Sequence, residues 1–405
     1  MKLCFFEDKF RSRFDPLTLT RPVDQLRVGI LTLAEKWTNT LAANAYTRST
    51  RPLLKKLYPG SKKQDPTDSI LWINPRYLPE SDLLHTIRQL ETQEALTDKE
   101  NDALIAARLG SRESRELFQQ GKHPDAASLT TKSCQTNRKI EYLWDLFLLN
   151  GDEITRDIEL VDPQRAPTET LPGTITLQSP EEIYMEEGVT LEPGTIIIAD
   201  DGPVYIGEGA KIMAGSVIRG PAAICEDSVL KMGAKIYEES TIGPVCKVAG
   251  EVNNCILHSY SNKGHEGFIG NSLFGQWCNL GADTNVSNLK NNYKDIDMRD
   301  WSSGEPIDSG QQFIGTIMGD HSKTAINTML NTGTMCGVSC NIFASKFPPK
   351  IIPSFSWIGD SGRRVYQFDK ALETMEKMMG RRDATLTENY IDMMKQVFDE
   401  AQGAS

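Results

Sequence analysis

The stretch IGEGAKIMAGSVIRGPAAICEDSVLKMGAKIYEESTIGPVCKV, Ile206–Val248, decides how most of this chain folds. Every sixth residue in it is aliphatic: Ile206, Ile212, Ile218, Ile224, Leu230, Ile236, Ile242 and Val248. That period is neither the helical nor the strand period. It belongs to hexapeptide repeats winding a parallel β-helix. Three flat faces make one coil of about eighteen residues. The aliphatic residue of each repeat points inward, and stacked coils bury an apolar face that one coil alone cannot.

Working outward, the first coils lie at 183–198, out of register with the main ladder, and Ala199-Asp-Asp-Gly-Pro is a turn. After Val248 the ladder is expected to stop. It resumes as Ile269-Gly, Phe274-Gly and Leu280-Gly, breaks at a polar excursion over 287–310, and returns as Met318, Thr324, Leu330, Cys336 and Ile342. Two amphipathic helices, 369–379 and 387–400, close the chain. Upstream, 161–182 is a connector rich in Pro and Thr. Residues 1–160 carry no hexads and read as an α/β domain. Strands are expected at 3–6 and 70–73, and apolar residues at mixed helical spacing over 26–41. A polar break falls at 62–68, and a helix begins near Ser81 with Ser81 or Asp82 at its cap. A strand or helix start follows at 103–107, then mobile loop or short helices over 110–133 and a helix over 139–150. The expected organisation is thus an α/β domain (1–160), a connector (161–182), a β-helix (183–358) and a helical extension (359–405).

Composition narrows the function. The 405-residue chain has a formal charge of -11, which opposes nonspecific nucleic-acid binding but leaves room for a local cationic pocket. No apolar run approaches the roughly 20 residues that cross a membrane. The N-terminus turns acidic too soon for a secretory signal, so a cytoplasmic protein is expected. Among the eight cysteines there is no CxxC pair, and with five histidines no metal site is expected. Buried thiols suit Cys225, Cys246 and Cys336.

A β-helix does not specify chemistry; the places where its repeats break are more informative. The densest polar run, 253–294, holds His258, Tyr260, Asn262, Lys263, His265, Asn279, Asp283, Asn285, Asn288, Lys290, Tyr293 and Lys294. Histidine accepts a proton near neutral pH, lysine neutralises phosphate, and backbone amides stabilise an oxyanion. Together these are the parts of an acyl transferase acting on a phosphorylated amine. The plain alternative is a non-catalytic scaffold whose asparagines sit at corners, with His258 and His321 structural and Lys263 and Lys290 solvated.

The motifs Ser261-Asn-Lys-Gly-His-Glu-Gly-Phe-Ile-Gly, Trp277-Cys-Asn-Leu-Gly-Ala-Asp-Thr and Ser287-Asn-Leu-Lys-Asn-Asn-Tyr, with Pro16–Thr32 near the start, resemble a known family. It is the bifunctional bacterial enzyme family that makes UDP-N-acetylglucosamine, in its shorter Bacteroidetes-like variant. The resemblance implies a sugar nucleotidyltransferase domain followed by a left-handed β-helix acetyltransferase using acetyl-CoA. It implies that His265 is the general base and that Asn288 orients His265 or the acyl group. Asn279 would hold the sugar phosphate or the base's surroundings and Lys294 would contact the phosphate, with Lys263 as a further substrate-binding lysine and Lys247 in place of a family arginine. Phe268 stands where the family has a tyrosine and so loses a hydroxyl donor. Ala325 falls where small residues leave room for the pantetheine arm. In the N-terminal part no glycine precedes Gly29, so the family's glycine-rich phosphate loop is missing. Arg11, Arg13 and Arg21 would hold phosphates by side chains instead. Asn74 would replace an aspartate that binds Mg2+, with less affinity.

The partners implied are a phosphorylated amino sugar, acetyl-CoA, UTP or dTTP, and two further copies of the chain, since a prism with flat faces assembles side by side. Two other readings compete: a nucleotidyltransferase whose β-helix only trimerises or regulates, and a metal β-helix built on His258, His265 and His321.

Overall fold

The computed structural model describes residues 1–61, 68–167 and 171–403; the polar break expected at 62–68 lies, save Asp68, outside the described residues. The chain divides into two compact units. The first comprises Met1–Phe14, Thr20–Leu26 and Leu31–Tyr142; the second comprises Asp15–Leu19, Arg27–Ile30 and Leu143–Ser405.

The first unit is built on a sheet of β1 (Lys2–Phe6), β2 (Ala45–Ser49), β3 (Ser69–Ile73), β4 (Glu94–Asp98), β5 (Leu104–Gly110) and β6 (Thr130–Cys134). Their spatial order is β2-β1-β3-β5-β4-β6, with β1 parallel to both neighbours. The run Leu-Cys-Phe-Phe in β1 is apolar on both faces because both are covered. Leu3 and Phe5 enter one core with Trp37, Ile73 and Tyr77. Cys4 and Phe6 enter the other with Trp72 and Ala107. The helices are α1 (Leu33–Thr40), α2 (Pro52–Leu57), α3 (Ser81–Arg88) and α4 (Ser111–Gln120).

Several expectations need correction here. The helical spacing over 26–41 becomes a helix only at Leu33, where Thr32 and Glu35 close a capping box. The cap of α3 is Glu80 rather than Ser81 or Asp82, and its side chain makes no capping hydrogen bond. Of the mobile loop or short helices expected over 110–133, helices form: α4 ends on Gly121 at φ 67°, a 3-10 turn covers Ala126–Ser128, and β6 follows as a strand the sequence did not suggest. The helix expected from 139 starts at 144, because Lys139 is held in extended chain. Its ammonium donates to Asp98 at 3.0 Å, and the Ile140 N–H donates to the Arg76 carbonyl at 2.8 Å. Strand β2, Ala-Tyr-Thr-Arg-Ser, has no strand signature; Arg48 is buried in it because Asp24 pairs with it at 2.5 Å.

The second unit begins with α5 (Trp144–Leu148) and α6 (Asn150–Val161) and continues as the left-handed β-solenoid. α6 holds Arg27–Ile30 of the same unit: Asn150 Oδ1 accepts the Gly29 N–H at 2.7 Å and Asp157 Oδ2 accepts the Ile30 N–H at 2.8 Å. Gly29, at φ 75°, must be glycine because a Cβ would stand 2.5 Å from Asp157 Oδ2. This accounts structurally for part of the N-terminal motif.

Inside the solenoid the hexad residues stack in three columns. One runs Met185, Ile206, Ile224, Ile242, Leu257, Phe274, Met318, Cys336, Ile352. The column therefore does not stop after Val248, as the broken rhythm suggested. The coils shorten instead: partners 18 residues apart, such as Ile224 and Ile242, give way to partners 15 apart, Ile242 with Leu257 and Val248 with Lys263. The shortened coils cross what would be a corner as single nine-residue strands, Glu251–Ser259 and Phe268–Gln276, which pair with each other. Each bends at a left-handed asparagine, Asn254 at φ 47° and Asn271 at φ 45°. The polar excursion forms an antiparallel hairpin, Asp297–Arg299 with Pro306–Asp308, before the column resumes at Met318.

The chain ends in α7 (Phe368–Gly380) and α8 (Glu388–Gly403), whose Phe368 and Phe398 pack on Phe355 with ring centroids 5.9 and 5.1 Å away. Among the described residues, no helix is long and apolar enough to cross a membrane.

Candidate active site

His265 lies on the corner between the two shortened coils. Its side chain is exposed, and among the described residues no hydrogen bond to its imidazole is found. Next to that corner Phe268 and Asn288 come together: a Cβ on Gly270 would stand 2.6 Å from Asn288 Nδ2 and 2.7 Å from the Phe268 ring. Asn288 Nδ2 donates to Asn271 Oδ1 at 2.7 Å, so its amide is fixed by Asn271 rather than by His265. The Phe268 N–H donates to Asn285 Oδ1 at 2.8 Å.

On one face of the solenoid Lys247, Asn262, Asn279, Lys323 and Asn341 stack in register, each one residue before an inward position. Asn262 Nδ2 donates to Asn279 Oδ1 at 2.9 Å, so a ligand would meet an amide pair already bound to itself. Lys247 is surrounded by like charge: Arg382 first, then burial, Lys231 and Arg381 hold its ammonium below the usual lysine range. Lys294 is exposed on the excursion. Ala325 packs against Gly281, where a Cβ would come 2.4 Å from the Ala325 carbonyl carbon, and Ala325 itself is half-buried.

Lys263 is not a ligand-facing lysine. It is 1% exposed and occupies an inward position, stacked on Val248. Its Nζ donates to the carbonyls of His265 at 2.8 Å and Ala249 at 3.2 Å. The solvated alternative fails for the same reason. The other histidines are engaged within the fold. His321 Nε2 bonds with the Tyr390 hydroxyl of α8 at 2.8 Å, and His258 Nδ1 with the Ser259 hydroxyl at 3.2 Å. Neither is gathered with His265 into a group of three metal-ligating side chains among the described residues.

Burial pushes the ammonium groups of Lys263 and Lys323 down to about 8. Unfolding returns both to the ordinary lysine value near ~10.4. Between about pH 8 and 10 the unfolded chain therefore holds protons that the folded chain has released, and stability rises with pH. Below that window the cost of burying the charge is fully present, about 3 kcal/mol for Lys263. The urea midpoint of the full chain is expected to rise between pH 7.5 and 9.5, and to rise less in Lys263→Met. A midpoint that falls across this window in both proteins would contradict the assignment.

The first unit carries a cleft of about 770 Å3 lined by Glu7, Asp8, Lys9, Arg11, Arg51 and Lys55, with His123 at its side. It lies past the carboxyl ends of β1 and β2. Open α/β sheets bind ligands outside the carboxyl ends of their strands, and the cleft has that placement. Of the arginines proposed for phosphate, only Arg11 lines the cleft. Arg13 is placed over the rings of Phe10 and Tyr142, 4.5 and 4.8 Å from their centroids. Arg21 is 0% exposed, and Asn74, 1% exposed, donates to Asp8 Oδ2 at 2.8 Å. Both are interior groups: a charge or amide so buried serves its protein partners, not a ligand. Arg51 and Lys55 were missed because they follow the unrecognised strand β2.

The cleft's two carboxylates do not form a ready Mg2+ site. Asp8 accepts from Arg76, Asn74 and the Phe10 N–H, and Glu7 from Val23 N–H and Thr50. Burial also raises the Glu7 carboxyl above its ordinary range, which opposes the charged form a cation needs.

A family model described as sugar nucleotidyl transferase matches residues 3–166. A curated bifunctional sugar-1-phosphate nucleotidylyltransferase/acetyltransferase of Sulfurisphaera tokodaii is 28% identical over 107 residues, covering 26% of this chain and 25% of that protein. The chain thus shares a distant homology with a bifunctional nucleotidyltransferase/acetyltransferase family. Similar solved structures include the polysialic acid O-acetyltransferase OatWY, at 15% identity and TM-score 0.21, covering 47% of this chain and 84% of that one. Another is a UDP-N-acetylglucosamine acyltransferase from Campylobacter jejuni, at 12% identity and TM-score 0.24, covering 55% and 93%.

Proposed function

We propose that the solenoid unit is an acetyl-CoA-dependent N-acetyltransferase acting on glucosamine 1-phosphate, in a cytoplasmic homotrimer. The first unit would add uridylyl transfer to give UDP-N-acetylglucosamine, as in the shorter variant of the family. The observation that carries the reading is the exposed imidazole of His265 on the corner between the shortened coils. His265 takes a proton from the sugar amine as its nitrogen attacks the thioester carbonyl. The carbon–sulfur bond breaks, and coenzyme A leaves as a thiol on protonation. Lys247 and Lys294 supply charge for the sugar phosphate, with Asn279 beside them. Asn288 lies beside the acyl group, and the small Ala325 leaves room for the pantetheine arm. Thiol release from acetyl-CoA on adding glucosamine 1-phosphate tests the reaction; no release with any amino-sugar phosphate would end it.

In the cleft, Lys9, Arg11, Arg51 and Lys55 would take the triphosphate. Arg11→Ala and Arg51→Ala are each expected to raise KM for UTP roughly tenfold, the loss of one charge-assisted contact. Acetyl transfer should be unchanged, with pyrophosphate release as the measurement. An unchanged KM in both variants would move the nucleotide elsewhere. The match of residues 3–166 to a sugar nucleotidyl transferase family model supports a second reading, a nucleotidyltransferase whose solenoid only trimerises or regulates. Pyrophosphate release with UTP or dTTP and no thiol release would select it.

A further inference from the structure

Corners of this solenoid are closed by hydroxyls. Thr195, Ser216, Thr284 and Thr328 share one stacked column, and each donates to the carbonyl three residues back, at 2.7 to 2.8 Å. Three successive positions of that column carry no hydroxyl: Ala234, then Gly250 and Gly267, the two glycines left-handed at φ 73° and 116°. No hydroxyl can close those corners. The Lys263 ammonium enters the space instead: a Cβ on Gly250 would stand 2.8 Å from its Nζ. One cation thereby ties the carbonyl of Ala249, beside Gly250, to the carbonyl of His265, on the corner below.

We propose that Lys263 is a positioning residue for His265. It is an interior cation that fixes the corner presenting the imidazole, through its hydrogen bond to the His265 carbonyl, an inference that rests on the reading of His265 as the base. A lysine inside a column otherwise built of aliphatic residues and Thr324 is costly to bury, and replacing a buried charge by an apolar group of similar volume is often neutral or stabilising. Its presence at the turn that carries an exposed histidine therefore points to function. The other ionisable groups facing it are Glu266, Asp283, Cys255 and Lys235, and Lys235 pairs with Glu266 at 3.7 Å.

The test compares the full chain with Lys263→Met and Lys263→Arg. The rate of His265 modification by diethyl pyrocarbonate at fixed pH, localised by peptide mass spectrometry, requires no enzymatic activity. In Lys263→Met that rate is expected to change by at least about threefold, because the corner that presents the ring is no longer held, and in Lys263→Arg to stay near the parent. Thermal stability of Lys263→Met should not fall, while kcat for acetyl transfer drops roughly tenfold through lost orientation. An unaltered His265 reactivity would overturn the proposal, and together with a lower melting temperature it would mark a structural lysine only. Should Lys263→Met not fold, Lys263→Gln carries the same measurement. If the reactivity changes but His265→Ala keeps full turnover, the general-base reading falls and the coupling of Lys263 to His265 stands.

Discussion

Replacing His265 with alanine is expected to lower kcat for acetyl transfer by about 10^2- to 10^4-fold, the usual contribution of a positioned general base. Binding of acetyl-CoA and the thermal midpoint should change little. The exposed side chain contributes no apolar burial, and what holds its corner is the backbone carbonyl bound by Lys263. Alanine leaves that carbonyl in place. The measurement is thiol release with glucosamine 1-phosphate at saturating acetyl-CoA. Turnover equal to the parent would remove His265 from the mechanism, and a large fall in stability would show that the corner depends on the ring.

The second large effect is structural. Gly243→Ala is expected to cost at least about 3 kcal/mol, because an added Cβ would stand 1.9 Å from the His258 carbonyl oxygen and 2.5 Å from that of Leu257. Both contacts are backbone, so no rotamer change relieves them; the first shortened coil must lift off the one beneath. For a unit of this size the melting temperature should drop by roughly 6–12 °C. Acetyl transfer should suffer with it, since the coil that lifts leads directly into the His265 corner. A melting temperature within about 2 °C of the parent would mean the coils stack more loosely at Gly243 than the geometry requires.

The sequence read well where burial leaves a periodic trace. Ile206 to Val248 marks its own three inward columns, because every aliphatic there follows its neighbour at the same interval. It misled where that interval changed. Counting onward from Val252 through Leu257, Lys263, Ile269, Phe274, Leu280 and Val286 gives steps of five, six, six, five, six, six. A reader who allowed the five would have found Lys263 in the interior. The charged residues of the first unit were harder. Nothing local distinguishes Arg21, which is buried, from Arg11, which lines the cleft; only tertiary packing separates them. Arg381 and Arg382, which crowd Lys247, are remote from it in sequence and gave no signal at all.

The left-handed asparagines of the two shortened coils have a consequence for what lengths a coil can take. Val252 and Leu257 are separated by an odd count, as are Ile269 and Phe274, yet all four face the interior. An unbroken strand alternates its side chains and would send one of each pair outward. Asn254 and Asn271, at φ 47° and 45°, reverse the parity once each and bring both back inside. Coil length here is therefore governed by parity rather than by multiples of six: each backbone inversion cancels one odd step, so the turn from Val252 to Ile269 closes in seventeen residues.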